Sequence, residues 1–183
     1  MTRTRTGSGG RGADRRRVLL WLVPVVFLIH NVEQVLMIAG TMEATRTGTP
    51  RVLRLIIPPV PPLEYMLALL VATLAAFACA WWGTLDRARA TGTYLLASLQ
   101  MALLLNVGGH GAASFVTGGY TAGVATSVVV VLPFSLVFFW FLVRERWVPV
   151  RTFPLLIVAG ILLHLPIFFG LLFLAGQVGL PGR

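Results

Sequence analysis

The chain has 183 residues, 57% of them apolar, and 21 charged side chains, 15 basic and 6 acidic. Charge at 11% is less than half of the roughly 25% of a soluble domain, which excludes a water-soluble globule. One cysteine, Cys79, excludes an intrachain disulfide and a cysteine-based metal motif.

Residues 1–17, rich in Gly, Thr and Arg, read as a disordered basic tail. All fifteen basic residues are arginine. Nucleic-acid binding is excluded because the basic residues cluster in this tail rather than on a folded surface with stacking aromatics. Asp14-Arg15-Arg16-Arg17-Val18 partly resembles a twin-arginine signal. The apolar run after it is too long for a signal and carries His30, Asn31, Glu33 and Gln34, so the arginines read as a topology anchor.

Residues 18–183 are expected to form one domain, an all-α integral membrane bundle of five transmembrane helices. The spans are 18–39, 62–83, 93–117, 121–143 and 153–176, each longer than the roughly 20 residues that cross a hydrocarbon core. Only Glu33 and Glu64 among the charged residues fall inside them. Alternation of period two is absent, which argues against a barrel, and a backbone in lipid must then bond to itself as helix. The connector 40–61 is the one long loop; Pro58, Pro59, Pro61 and Pro62 stop one helix and start the next. Its Arg51–Val60 stretch suits a segment lying flat in the interface with snorkelling arginines. Spans three and four, joined by little more than Gly118-Gly119-Tyr120, are antiparallel neighbours.

With the N-terminus inside, eleven arginines face the cytoplasm and four face outwards. That bias predicts an inside N-terminus and, for five spans, an outside C-terminus. All five tryptophans (Trp21, Trp81, Trp82, Trp140 and Trp147) then fall at cytoplasmic helix ends, as interfacial anchors do. The expectation is a multi-pass protein of the cell membrane.

All three histidines are expected inside the membrane. His30, Glu33 and Gln34, spaced i, i+3, i+4, share one face of the first helix. Asn106 and His110 share a face of the third, extended by Ser114, and His164 lies in the fifth just before Pro166. At about 1.5 Å per residue, His30 and His164 lie about 17–18 Å and His110 about 25 Å from the cytoplasmic helix starts. With Glu64 as an uncertain member, these residues are expected to meet in one polar pocket towards the outer leaflet. Lipid exposure of an ionised glutamate would cost several kcal/mol. Gln100, with no polar helical companion, reads as interhelical glue, and Gly108, Gly109 and Gly111 as packing positions. Pro24 and Pro133 are expected to kink their spans.

His30-Asn31-Val32-Glu33-Gln34 resembles the motif of the HXXEE family of membrane proteins. Asn106-Val107-Gly108-Gly109-His110 supplies a second matching element, and Tyr120-Thr121-Ala122-Gly123 with Thr126 is similar to the family's Tyr-x-Pro-Gly turn. Ala122 stands where the turn has proline, and Gln34 replaces the second glutamate, bringing hydrogen bonds but no charge or proton. The resemblance implies no established activity.

The leading expectation is a membrane enzyme using acid–base chemistry on an isoprenoid-like or other lipid substrate. Glu33 is the candidate acid or base, His30 and His110 are its partners or proton relay, and Asn106 and Gln34 orient them. A divalent transition metal held by His30, Glu33, His110 and His164 is the second reading. A proton pathway or transporter is the third, although no internal repeat supports it, and a structural accessory subunit is the last. The expected partners are the lipid bilayer and a lipophilic small molecule.

Overall fold

The computed structural model describes residues 9–48, 61–85, 89–164 and 170. They form five helices and no strand. Helix α1 is Gly9–Gly48, α2 Pro62–Gly83 and α3 Arg89–Thr117. Helix α4 spans Val124–Arg144, and α5 is Phe153–Leu162. The first four are long and apolar enough to cross a membrane.

One expectation is corrected. Gly9–Arg17 belong to α1 rather than to a disordered tail, while residues 1–8 lie outside the described residues. Tertiary contacts stabilise this extension: the Arg15 guanidinium pairs with Glu145 at 2.8 Å, and Arg16 donates to the Thr93 hydroxyl at 2.5 Å. The fifth helix has 10 residues among those described, which hold four candidate spans. The wider turn of Leu163 and His164 follows this helix. Apart from Gly170, the remainder of the expected fifth span, 165–176, lies outside the described residues, as does most of the 40–61 connector.

The helix ends follow from local chemistry. Pro61, at φ −57° and ψ 144°, precedes a proline at the start of α2, and Glu64 in the first turn complements the helix dipole. Helix α3 closes on Gly118 at φ +65°, with Gly119 N–H donating to the Ser114 carbonyl and Gly118 N–H to that of Phe115. This is the two-bond cap that a left-handed glycine permits. In α4 a π-helical stretch, Ser127–Val131, separates the first turn, Val124–Thr126, from the α-helical Leu132–Arg144. Pro133, near the start of that last segment, has no N–H to donate, and the wider turn precedes it.

Helix α3 is central and touches the other four. At the arginine-rich end Leu19, Leu20, Val23, Ala80, Leu96, Ala97, Phe138 and Leu142 form the main core. Gly83 and Gly92 let α2 and α3 meet backbone to backbone, the Gly83 Cβ position lying 3.1 Å from the Gly92 Cα. Gly160 does the same for α5 against Met101 and Ala102. Polar bonds link the helices elsewhere. Gln100 donates to the Ser135 hydroxyl at 2.7 Å, the glue role its sequence suggests, and Asn31 donates to Thr73 at 2.7 Å and to the Leu69 carbonyl at 3.3 Å. Many large apolar side chains face outward, Phe115 at 87% and Val129 at 73% exposure among them, as a lipid-facing surface requires.

Candidate functional site

Above the smaller apolar cluster of Val26, Leu103 and Val131, four polar side chains from α1 and α3 close into a ring. The Gln34 amide nitrogen lies 3.1 Å from His30 Nε2 and 2.9 Å from His110 Nε2. The Asn106 amide nitrogen lies 3.1 Å and 3.0 Å from the same two atoms. The imidazoles stand edge to face, with ring centres 5.0 Å apart. His30 and Gln34 are buried; Asn106 and His110 are half-buried.

This geometry assigns the tautomers. An amide nitrogen only donates, so both Nε2 atoms accept and each neutral imidazole carries its proton on Nδ1. His30 Nδ1–H therefore donates to the Thr126 hydroxyl, 2.9 Å away. That hydroxyl also bonds to the Glu33 carboxylate. Glu33, Thr126 and His30 thus form a carboxylate–hydroxyl–imidazole chain behind the ring.

Glu33 is otherwise engaged with the start of α4. Its carboxylate accepts from Ala125 N–H at 3.1 Å, from Thr126 N–H at 2.7 Å and from the Tyr120 hydroxyl. Free N–H groups and the positive end of the dipole make a helix start a natural seat for an anion. The bond to Glu33 pushes the Tyr120 phenol up to about 12. Gly123, at φ +93°, begins this helix and leaves no room for a side chain: a Cβ there would lie 2.7 Å from His110 Cε1 and 3.0 Å from Gln34 Cγ. Ser114 and Thr121 bond at 2.8 Å across the same turn. The turn 118–123 thus packs its glycine against the ring and aims the start of α4 at Glu33.

A family comparison matches residues 21–138 to the family described as "Protein of unknown function with HXXEE motif". The chain belongs to the HXXEE-motif family. No curated protein and no solved structure matches it. The geometry gives each letter of the HXXEE motif a separate environment. The histidine, His30, is a corner of the ring, the first glutamate, Glu33, caps α4, and the second glutamate position, here Gln34, lies between the imidazoles.

Of the residues expected to form the site, His30, Gln34, Asn106 and His110 come together, and Glu33 reaches them only through Thr126. His164, half-buried just beyond α5, lies within electrostatic range of both ring imidazoles without bonding to them. Glu64 stays in the first turn of α2, and no contact of the described residues ties it to the ring. Among the described residues no three His, Cys, Asp or Glu side chains gather as a metal-ligand group, so the expected shell of His30, Glu33, His110 and His164 is not assembled. The oxygens of Glu33 are taken by α4. Two participants were missed as working parts: Thr126, noted only as matching a pattern, and Gly123, noted only as a turn residue. The spacing of Thr126 three residues after a turn glycine was the available signal.

Proposed function

We propose that this member of the HXXEE family is a membrane enzyme in which the His30–His110 pair moves a proton on a lipophilic, isoprenoid-like or lipid substrate. The observation that carries this reading is the ring itself: two neutral imidazoles turn their lone pairs towards one spot inside an apolar bundle. A lone pair of this kind can accept a proton as a general base. His30 takes the proton at Nε2, and the positive charge that results is offset through Thr126 by the Glu33 carboxylate. Glu33 and Thr126 are positioning residues in this scheme, and Asn106 and Gln34 hold the two rings in register. The proton leaves a carbon of the substrate, rests on the imidazole and returns to another carbon, so the net reaction is an isomerisation that consumes nothing. We further propose that the chain is a multi-pass protein of the cell membrane with its N-terminus inside and, once a fifth span is completed, its C-terminus outside.

The experiment follows the proton. Purified protein in detergent is incubated in deuterated water with a total lipid and isoprenoid extract, and the extract is surveyed by mass spectrometry. Wild type should place deuterium on carbon in one lipid class; His110→Ala and Thr126→Val should lose it, while Thr126→Ser should keep most of it. Equal labelling by wild type and His110→Ala, or none by wild type, rejects the enzyme reading. A proton-pathway reading predicts flux into proteoliposomes without such labelling.

A further inference from the structure

We propose that His164 is a further catalytic residue of this site, donating a hydrogen bond to a carbonyl oxygen, and that the substrate is a lipophilic unsaturated ketone. The proposal rests on the proton-moving reading of the ring and adds what that reading lacks, a place for the charge left behind. Its geometric basis is the seating of α5 on α3. The buried face of α5 carries Leu156 and Gly160, and His164 is the next position in the same spacing of four. At Gly160 the two helices meet closely: a Cβ there would lie 2.9 Å from Met101 Cγ and 3.1 Å from the Ala102 nitrogen. With α4 returning between them, α3 and α5 run in the same direction. One turn beyond Gly160 stands His164, and one turn beyond Ala102 stands Asn106, a corner of the ring. Both helices advance by about 6 Å over those four residues, so His164 is level with the ring. It is half-buried there and acts electrostatically on His30 and His110 while bonding to neither. Among the described residues no hydrogen bond engages its imidazole.

The chemistry asks for such a group. A neutral imidazole is too weak a base to take a proton from a plain hydrocarbon chain. It succeeds with a carbon beside a carbonyl, where the electron pair of the broken C–H bond forms a new double bond and the charge passes to oxygen. That oxygen needs a fixed donor in an apolar site. The amide N–H groups of Gln34 and Asn106 are turned to the imidazoles, and the Tyr120 hydroxyl to Glu33. His164 carries an N–H not committed in this way, and a neutral imidazole serves well as the electrophile for an enolate. The cycle balances. His30 Nε2 takes the proton from the carbon between the carbonyl and a β,γ double bond, and the enolate oxygen accepts from His164. The proton then returns from His30 to the γ carbon, the carbonyl reforms, and the product is the conjugated ketone.

Two probes test this with the full chain in detergent. A long-chain β,γ-unsaturated methyl ketone serves as substrate, its conversion followed by the ultraviolet absorption of the conjugated product. A long-chain alkylphenol, which mimics the enolate, serves as ligand, its binding followed by calorimetry. Wild type should convert the ketone and bind the phenol. His164→Leu should lose about a hundredfold in kcat with a much smaller change in KM, and should bind the phenol at least about tenfold more weakly. His164→Gln, which keeps an N–H donor, should recover most of the phenol affinity, with helix content checked by circular dichroism in both variants. Phenol binding that is absent from wild type, unchanged in His164→Leu, or no better in His164→Gln than in His164→Leu overturns the assignment, as does wild-type deuterium labelling confined to lipids without a carbonyl group. Phenol binding that depends on His164, with no deuterium placed in any lipid, would instead keep the oxygen-binding role and reject the enzyme reading, so the two failures are told apart.

Discussion

Gly123 shows how one residue can serve two requirements. Its φ of +93° lies in the region that side chains rarely adopt, and the space where a Cβ would go is filled by the His110 ring and the Gln34 side chain. Gly123→Ala therefore combines backbone strain with displacement of a ring corner. The strain alone costs about 1–3 kcal/mol. Unfolding in mixed detergent should register a loss of that order, and a variant as stable as wild type would remove the argued contact. Asn31 makes the complementary point. It lies inside the motif segment yet turns to α2, joining Thr73 and the Leu69 carbonyl, so adjacency in sequence does not confer membership of the site.

At the scale of elements, the decisive contact is between the middle of α1 and the start of α4. Glu33 receives two backbone N–H groups of α4 and the hydroxyl of Tyr120, so a charge that is costly in lipid is offset by a helix end. Glu33→Ala should destabilise the protein by about 1 kcal/mol, leaving the half-buried Thr126 N–H without its acceptor. Glu33→Gln should cost less, because its carbonyl oxygen still accepts. The comparison of the two in one unfolding series checks this: equal and negligible losses would show that the cap contributes nothing. The same contact lies directly before the π-helical stretch of α4, Ser127–Val131. Wide turns of this kind occur where a helix accommodates a functional constraint, and here Thr126 must meet both Glu33 and His30.

For the whole molecule, α3 acts as the hub, and the two ends of the bundle differ in kind. One end is an apolar core closed by arginine and aromatic contacts, with Arg15 over Phe141 and Arg144 over Trp140 at 5.0 and 4.7 Å. Towards the other lies the polar ring. The proposed topology places the arginine-rich end in the cytoplasm. It is tested in a Cys79→Ala background with single cysteines introduced at Gly7 or Gly119. An impermeant maleimide applied to intact cells should label the Gly119→Cys chain and spare the Gly7→Cys chain until the cells are opened. Labelling of Gly7→Cys alone would invert the molecule.

Much of the architecture was legible from sequence. Span positions, the close pairing of α3 with α4 and the gathering of His30, Gln34, Asn106 and His110 follow from one-dimensional facts: the hydrocarbon thickness sets helix length, and polar groups at similar depth avoid lipid by meeting. The partners of each polar atom were not legible. Whether Glu33 faces an imidazole or a helix start depends on how α1 is rotated about its axis, and His30 and Asn106 meet across 76 positions. Rotation and crossing are fixed by packing at Gly123 and in the cores, which hydropathy does not encode. The sequence by itself therefore determined a membrane helix bundle with buried imidazoles, and the tertiary structure alone decided that Glu33 supports the ring from behind while Gln34 stands within it.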